Sequence, residues 1–290
     1  MVRNNIYGNT VSRAHPYWDY FEENDDYCIG LDSKKNINYE SLKAKQASLR
    51  FFDFFSTLNQ FFGILMVILI GYFYGNIDGS YEWKDINSNI SDNTYYRSYL
   101  NLHGLAVIVG LVFLQGEGIL INRHFRHEPK SIFKLYQIVF NLIALACGAF
   151  ALAASIIYSN KVESNHFYSF QSWLLLGVLA IYLAVSSTYL FVFTFPRLQK
   201  NIRQALKPYI NVMCLVTFIL SSLYSILSNA LYINKYVNNN EIKICTNNKD
   251  DCIDQFRYIM NFGLVATVLY SIVVVIQASK PSWSRKLKDI

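Results

Sequence analysis

Three kinds of residue in this chain could do chemistry in an apolar setting: His103, Glu117, and a series of cations beginning at Arg123. The first two, and the first of the cations, lie in one stretch, NLHGLAVIVGLVFLQGEGILINR, from Asn101 to Arg123. An imidazole can offer a lone pair to a metal or a cofactor iron. A single buried histidine is, however, more often hydrogen-bonded to a neighbouring helix, so His103 alone decides nothing. Glu117 lies about one turn from the cationic end and must be protonated, paired or in reach of water. The loop beginning at Arg123 is its expected partner, and a proton or cation relay is the sharper alternative.

The element that positions these residues is a membrane-spanning helix. At 1.5 Å per residue, the roughly 20 residues between His103 and Arg123 cover about 30 Å, the thickness of a bilayer's hydrocarbon core. With 53% hydrophobic and 16% charged residues, the whole chain has the composition of a membrane protein. Its apolar residues gather into six runs, about Phe54 to Tyr74, Tyr99 to Ile121, Ile132 to Tyr158, Ser169 to Phe195, Tyr209 to Ile233 and Tyr258 to Ala278. Each is long enough to satisfy its backbone as a helix and cross once. The fold class expected is all-α, a six-transmembrane-helix bundle over 51–279, with a disordered tail over 1–50 and a short tail over 280–290.

Loop charge orients the bundle. Arg123, Arg126 and Lys130, then Arg197, Lys200, Arg203 and Lys207, then Lys280, Arg285, Lys286 and Lys288 fall on one side. The loops on the other side are longer and carry Asp78, Glu82, Asp85, Asp92, Glu241, Asp250, Asp251 and Asp254. The positive-inside rule then makes both termini cytoplasmic. The net charge of +6 reflects this asymmetry and contact with anionic lipid, with no nucleic-acid partner required. Nothing in the sequence distinguishes a plasma membrane from a vesicular one.

Other features carry less. Ser56, Thr57, Asn59 and Gln60 make the start of the first helix polar, and that helix reads as peripheral. Gly104, Gly110, Gly116 and Gly118 let a helix or a flat ligand approach the second. His124 and His127 would share a helix face, but among arginines they read as an interfacial basic cluster. That spacing suits a metal in principle, but no metal site is expected. Cys245 and Cys252 bracket CTNNKDDC and are expected to form a local disulfide on the outer side. Asn89-Ile90-Ser91 is a glycosylation pattern that often arises by chance.

Taken in order, several landmarks resemble the cytochrome b561 family over about Asn101 to Asn229. His103, Gly110, Gln115, Gly116 and Arg123 fit its second helix, and Lys134 and Asn141 its third. Tyr168-Ser169 with Ser172-Trp173 opens the fourth, and Arg203 with Pro208 introduces the fifth. The resemblance implies a four-helix core, helices two to five over about 99–233, that holds two b haems by pairs of histidines and moves electrons from cytoplasmic ascorbate. It also implies a dimer, as is common in the family.

Here the chain departs from the pattern. Of the four ligand positions only His103 is histidine; its expected partner is Gln171, and the inner pair is Gln137 and Ile210. An amide oxygen is a poor ligand for low-spin iron and Ile offers none. The family's ascorbate-site cations survive better, as Arg123, Lys134 and Arg203, which could hold a small anion at the cytoplasmic face. The expectation is therefore a b561-type membrane protein degenerate in haem binding, without a cofactor, acting as a binding, assembly or transport-associated protein. The alternative is an oxidoreductase passing electrons from ascorbate to ferric iron or monodehydroascorbate, with at most one haem b on His103. A transporter or channel using Glu117 ranks last.

Overall fold

In the computed structural model the described residues are 32–77, 80–82, 96–124, 130–161, 170–194, 200–237 and 249–280. They form six long helices, with no strand among them. Helix α1 is Asp32–Asn76. Helix α2 joins α-helical Arg97–Ala106, a π-helical stretch Val107–Leu114 and α-helical Gln115–His124. Helix α3 is Lys130–Lys161. Helix α4 is Phe170–Tyr189 with a π-helical end Leu190–Thr194. Helix α5 is Lys200–Tyr232 with a π-helical end Ile233–Val237, and α6 is Lys249–Ser279.

All six contain a segment long and apolar enough to cross a membrane, from Arg50–Asn76 in α1 to Gln255–Ser279 in α6. The six apolar runs thus become the six spans, with ends moved by a few residues. One boundary differs from expectation. Helix α1 begins at Asp32, so 32–50, read as part of an unstructured tail, are helical. Asp32 and Ser33 supply a helix-start signal and Leu42, Ala44, Lys45, Gln46 and Ala47 are strong helix formers, which aromatic clustering upstream obscured.

Helix α2 is central. Its span is two-thirds buried, against 22% for that of α3, and it packs on α3, α5 and α6. Close approach depends on its glycines: a Cβ at Gly110 would overlap Cys147 of α3, and one at Gly116 the Tyr270 hydroxyl of α6. The glycine stripe therefore serves helix packing on several sides.

The core has two main parts. One joins Val107 and Leu111 of α2 to Ala144 and Ala151 of α3, Leu175 and Tyr182 of α4 and Tyr224 of α5. This is the expected four-helix core. The other brings Met66, Ile70 and Tyr74 of α1 against Ile108 and Val112 of α2, Phe218 of α5 and Tyr270 of α6. So α1 is peripheral on one face only: Phe61, Ile64 and Ile68 are exposed while Met66 and Ile70 are fully buried. The exposed apolar side chains, such as Leu135, Leu223 and Phe262, form the surface that lipid covers.

Several hydroxyl side chains in the spans find local partners. Ser221 and Ser222 of α5 donate to the carbonyls of Thr217 and Phe218 one turn earlier, and Thr267 and Ser271 of α6 do the same to Gly263 and Thr267. Where water is absent, returning a hydroxyl to its own helix removes the cost of an unpaired donor.

Candidate functional site

The four ligand positions of the b561 pattern fall in two places in the bundle, and each place is built around a tyrosine. At the first, His103 is 6% exposed. Its Nδ1 lies 2.8 Å from the Ala151 carbonyl oxygen of α3. A carbonyl only accepts, so Nδ1 carries the proton, and in the neutral ring Nε2 is an acceptor. That lone pair faces the Tyr224 hydroxyl of α5 at 3.1 Å, which donates to it. Gln171, the position expected to complete the pair, donates from Nε2 to Ser228 Oγ at 2.6 Å. Ser228 lies one turn beyond Tyr224 on α5, so the same face of that helix engages both positions.

At the second place, Gln137 of α3 is buried and its Oε1 accepts from the Tyr189 hydroxyl of α4 at 2.5 Å. Ile210 of α5 packs in one cluster with Tyr189 and Val192. Tyr189 therefore touches both positions, by its hydroxyl on one side and its ring environment on the other. A third tyrosine, Tyr182, donates to Asn141 Oδ1 at 3.1 Å and links α4 to α3 at one of the family landmarks.

Could these residues hold the haems that the pattern implies? The first pair offers one imidazole whose Nε2 lone pair is engaged by a phenol, opposite an amide engaged by a serine. The second offers an amide oxygen engaged by a phenol, opposite a hydrocarbon. Neither fits bis-imidazole ligation. The single favourable feature is the Nδ1–H bond from His103 to a backbone carbonyl, which is the tautomer and orientation a metal-bound imidazole adopts.

The cations lie at the opposite end of α2 from His103. Arg123 donates from both terminal guanidinium nitrogens to the carbonyl oxygens of Ala278 and Lys280, each at 2.5 Å. A cation placed on the last carbonyls of a helix satisfies orphan acceptors and complements the dipole. Arg123 thus ties α2 to the end of α6. Lys134 is half-buried in the first turns of α3, and Arg203 falls in the first turn of α5 with its side chain outside the described residues. The alternation of the helices puts all three at one end of the bundle.

Glu117 corrects an expectation. Among the described residues its partners are Asn59 and Gln60 of α1 at 2.7 and 2.8 Å, with Tyr270 of α6 nearby, and not Arg123. The observed partners differ from the expected ones because the side chain of Glu117, six residues before Arg123, faces the neighbouring helices. His124 stands 3.0 Å from Ser56 of α1. His127, the Cys245–Cys252 pairing and Asn89-Ile90-Ser91 rest on positions outside the described residues. Tyr189, Tyr224 and Ser228 were missed in the sequence because a tyrosine or serine in an apolar run announces no partner.

Fold and site together define a multi-pass helical membrane protein whose interior polar residues sit between facing helices. Residues 102–232, just under half of the chain, match the family model for eukaryotic cytochrome b561. The chain is 28% identical over 207 residues to transmembrane ascorbate ferrireductase 1 of Arabidopsis thaliana, covering 70% of this chain and 78% of that protein. It is 26% identical over 250 residues to a Caenorhabditis elegans homolog of the transmembrane ascorbate-dependent reductase CYB561, covering 82% and 87%. Against the Sus scrofa transmembrane ascorbate-dependent reductase CYB561 it is 28% identical over 155 residues, and there it spans only 57% of the relative's length.

Proposed function

We propose that this protein keeps the b561 bundle without the two-haem electron relay, and that it works as a binding, assembly or transport-associated membrane protein. One observation carries this reading: Tyr224 and Tyr189 engage the ligand positions from inside the bundle, where the pattern would require iron. In this reading both termini are cytoplasmic, the Arg123 end faces the cytoplasm, and Arg123, Lys134 and Arg203 form an anion-attracting rim there. A homodimer in the bilayer is part of the same reading, and no cofactor is needed.

A second reading has specific support. The relatives' names are those of ascorbate-dependent reductases, and His103 holds the tautomer of a metal ligand. In that reading the chain is a transmembrane oxidoreductase passing electrons from cytoplasmic ascorbate to ferric iron or monodehydroascorbate, with at most one haem b on His103. The comparisons favour this second reading and the side chains favour the first.

The visible spectrum of the purified full-length protein, expressed with haem supplied and recorded before and after reduction, separates them. The first reading expects no Soret band. A stoichiometric b-type spectrum that is lost in His103→Ala overturns it in favour of the second.

A further inference from the structure

The polar start of the α1 span and the carboxylate of α2 belong to neither ligand pair, yet they meet in the interior. Ser56, Asn59 and Gln60 are spaced by three and four residues, so they share one face of α1. Glu117 and His124 are seven residues apart, two turns, and share one face of α2. These faces join at two levels, about 10 Å apart along α2 and about 5–6 Å apart along α1. At one, Asn59 Nδ2 and Gln60 Nε2 donate to the two carboxylate oxygens of Glu117 at 2.7 and 2.8 Å. At the other, Ser56 Oγ stands 3.0 Å from His124 Nε2. Tyr270 of α6 closes the third side, donating to the Phe113 carbonyl at 3.0 Å with its hydroxyl 3.4 Å from Glu117.

Two features point to a ligand. Glu117 is only 9% exposed, and the groups facing it are two amides and a phenol. Among the described residues no cation pairs with it, so an ionised carboxylate would lack a counter-charge where it costs most. In addition, Asn59 is fully buried, and its Oδ1 has no partner although its Nδ2 holds Glu117. Turned over, the same amide would present that oxygen to the carboxyl group, which can use it only when it carries a proton.

We propose that Glu117 is a proton-binding site in the membrane interior, filled and emptied from the His124 end along the Ser56, Asn59 and Gln60 face of α1. On filling, a proton from water bonds to one carboxylate oxygen, Asn59 accepts from it through Oδ1, and Gln60 keeps donating to the other oxygen. Emptying reverses each step, and no electrons move. The titratable groups facing the site are His124 from α2 and Tyr270 from α6; α1 contributes neutral side chains. Haem occupancy does not enter, because Glu117 faces α1 and α6 whereas the four ligand positions face α3, α4 and α5.

The test is pH-difference infrared spectroscopy of the full-length protein in liposomes. The wild type should show the carbonyl stretch of a protonated carboxyl growing as pH falls, and Glu117→Gln should lose it. His124→Gln should keep the band but slow its appearance after a pH jump. Asn59→Leu should shift the band, and this variant carries the test if Glu117→Gln fails to reach the membrane. Identical difference spectra for wild type and Glu117→Gln between about pH 4 and about pH 9, a range that brackets perturbed carboxyl groups, overturn the proposal. So does a band unmoved in Asn59→Leu. A midpoint that moves with sodium concentration also overturns it, because the site would then take a metal cation.

Discussion

Replacing Tyr224 by Phe isolates the contact on which the reading of His103 rests. The ring stays in place among Val107, Leu111 and Leu175, and only the hydroxyl is removed. His103 keeps its bond to the Ala151 carbonyl, so Nε2 becomes a buried acceptor with no donor opposite. An acceptor left unsatisfied costs about 1–3 kcal/mol in water-soluble proteins, and side-chain hydrogen bonds inside membranes average about 0.6 and reach about 1.7 kcal/mol. A loss of about 1 kcal/mol follows, which for a chain of this size lowers the thermal midpoint by about 2–4 °C. The assay is thermal unfolding in detergent for wild type, Tyr224→Phe, His103→Phe and the double variant. Since the two groups serve each other, the double variant should be less destabilised than the sum, by about 0.5–1.5 kcal/mol. Effects that add to within about 0.3–0.5 kcal/mol would refute the argument that the phenol satisfies the imidazole.

Two further outcomes follow from the packing and the loop. A methyl group at Gly110 would overlap Cys147 of α3, so Gly110→Ala should cost about 1–3 kcal/mol of overpacking, measured by the same melt, while Gly177→Ala, which meets nothing within 4 Å, should be nearly neutral. Tyr81, beyond the end of the α1 span, donates to the Gly71 carbonyl, and burial pushes its phenol from 10.0 up to about 12. A raised acid pKa in the folded state means its contribution is complete below pH 10.0 and is lost as pH climbs to about 12. Stability measured across that window should fall more steeply in the wild type than in Tyr81→Phe.

Much of this protein is legible in one dimension. Six apolar runs of membrane length leave the backbone no alternative to helices, because hydrocarbon cannot hydrogen-bond to a strand edge or a loop. The absence of histidine at positions 137, 171 and 210 is equally a matter of sequence, and so is the doubt it raises about haem. The glycines of α2 signalled close packing, although which neighbour each admits was not readable. What only the tertiary structure decided is pairing. Asn59 and Gln60 stood out as polar residues in an apolar run, and Glu117 as an acid in another. Their meeting depends on the rotation of α1 about its axis and on the height at which it docks on α2. Those two quantities arise from packing across 58 residues of sequence separation, so local spacing cannot supply them. Tyr189 and Tyr224 are the same case. A tyrosine is apolar enough to sit in any span, and only the facing helix determines whether its hydroxyl points to lipid headgroups, to a carbonyl, or to the position where a ligand would be sought.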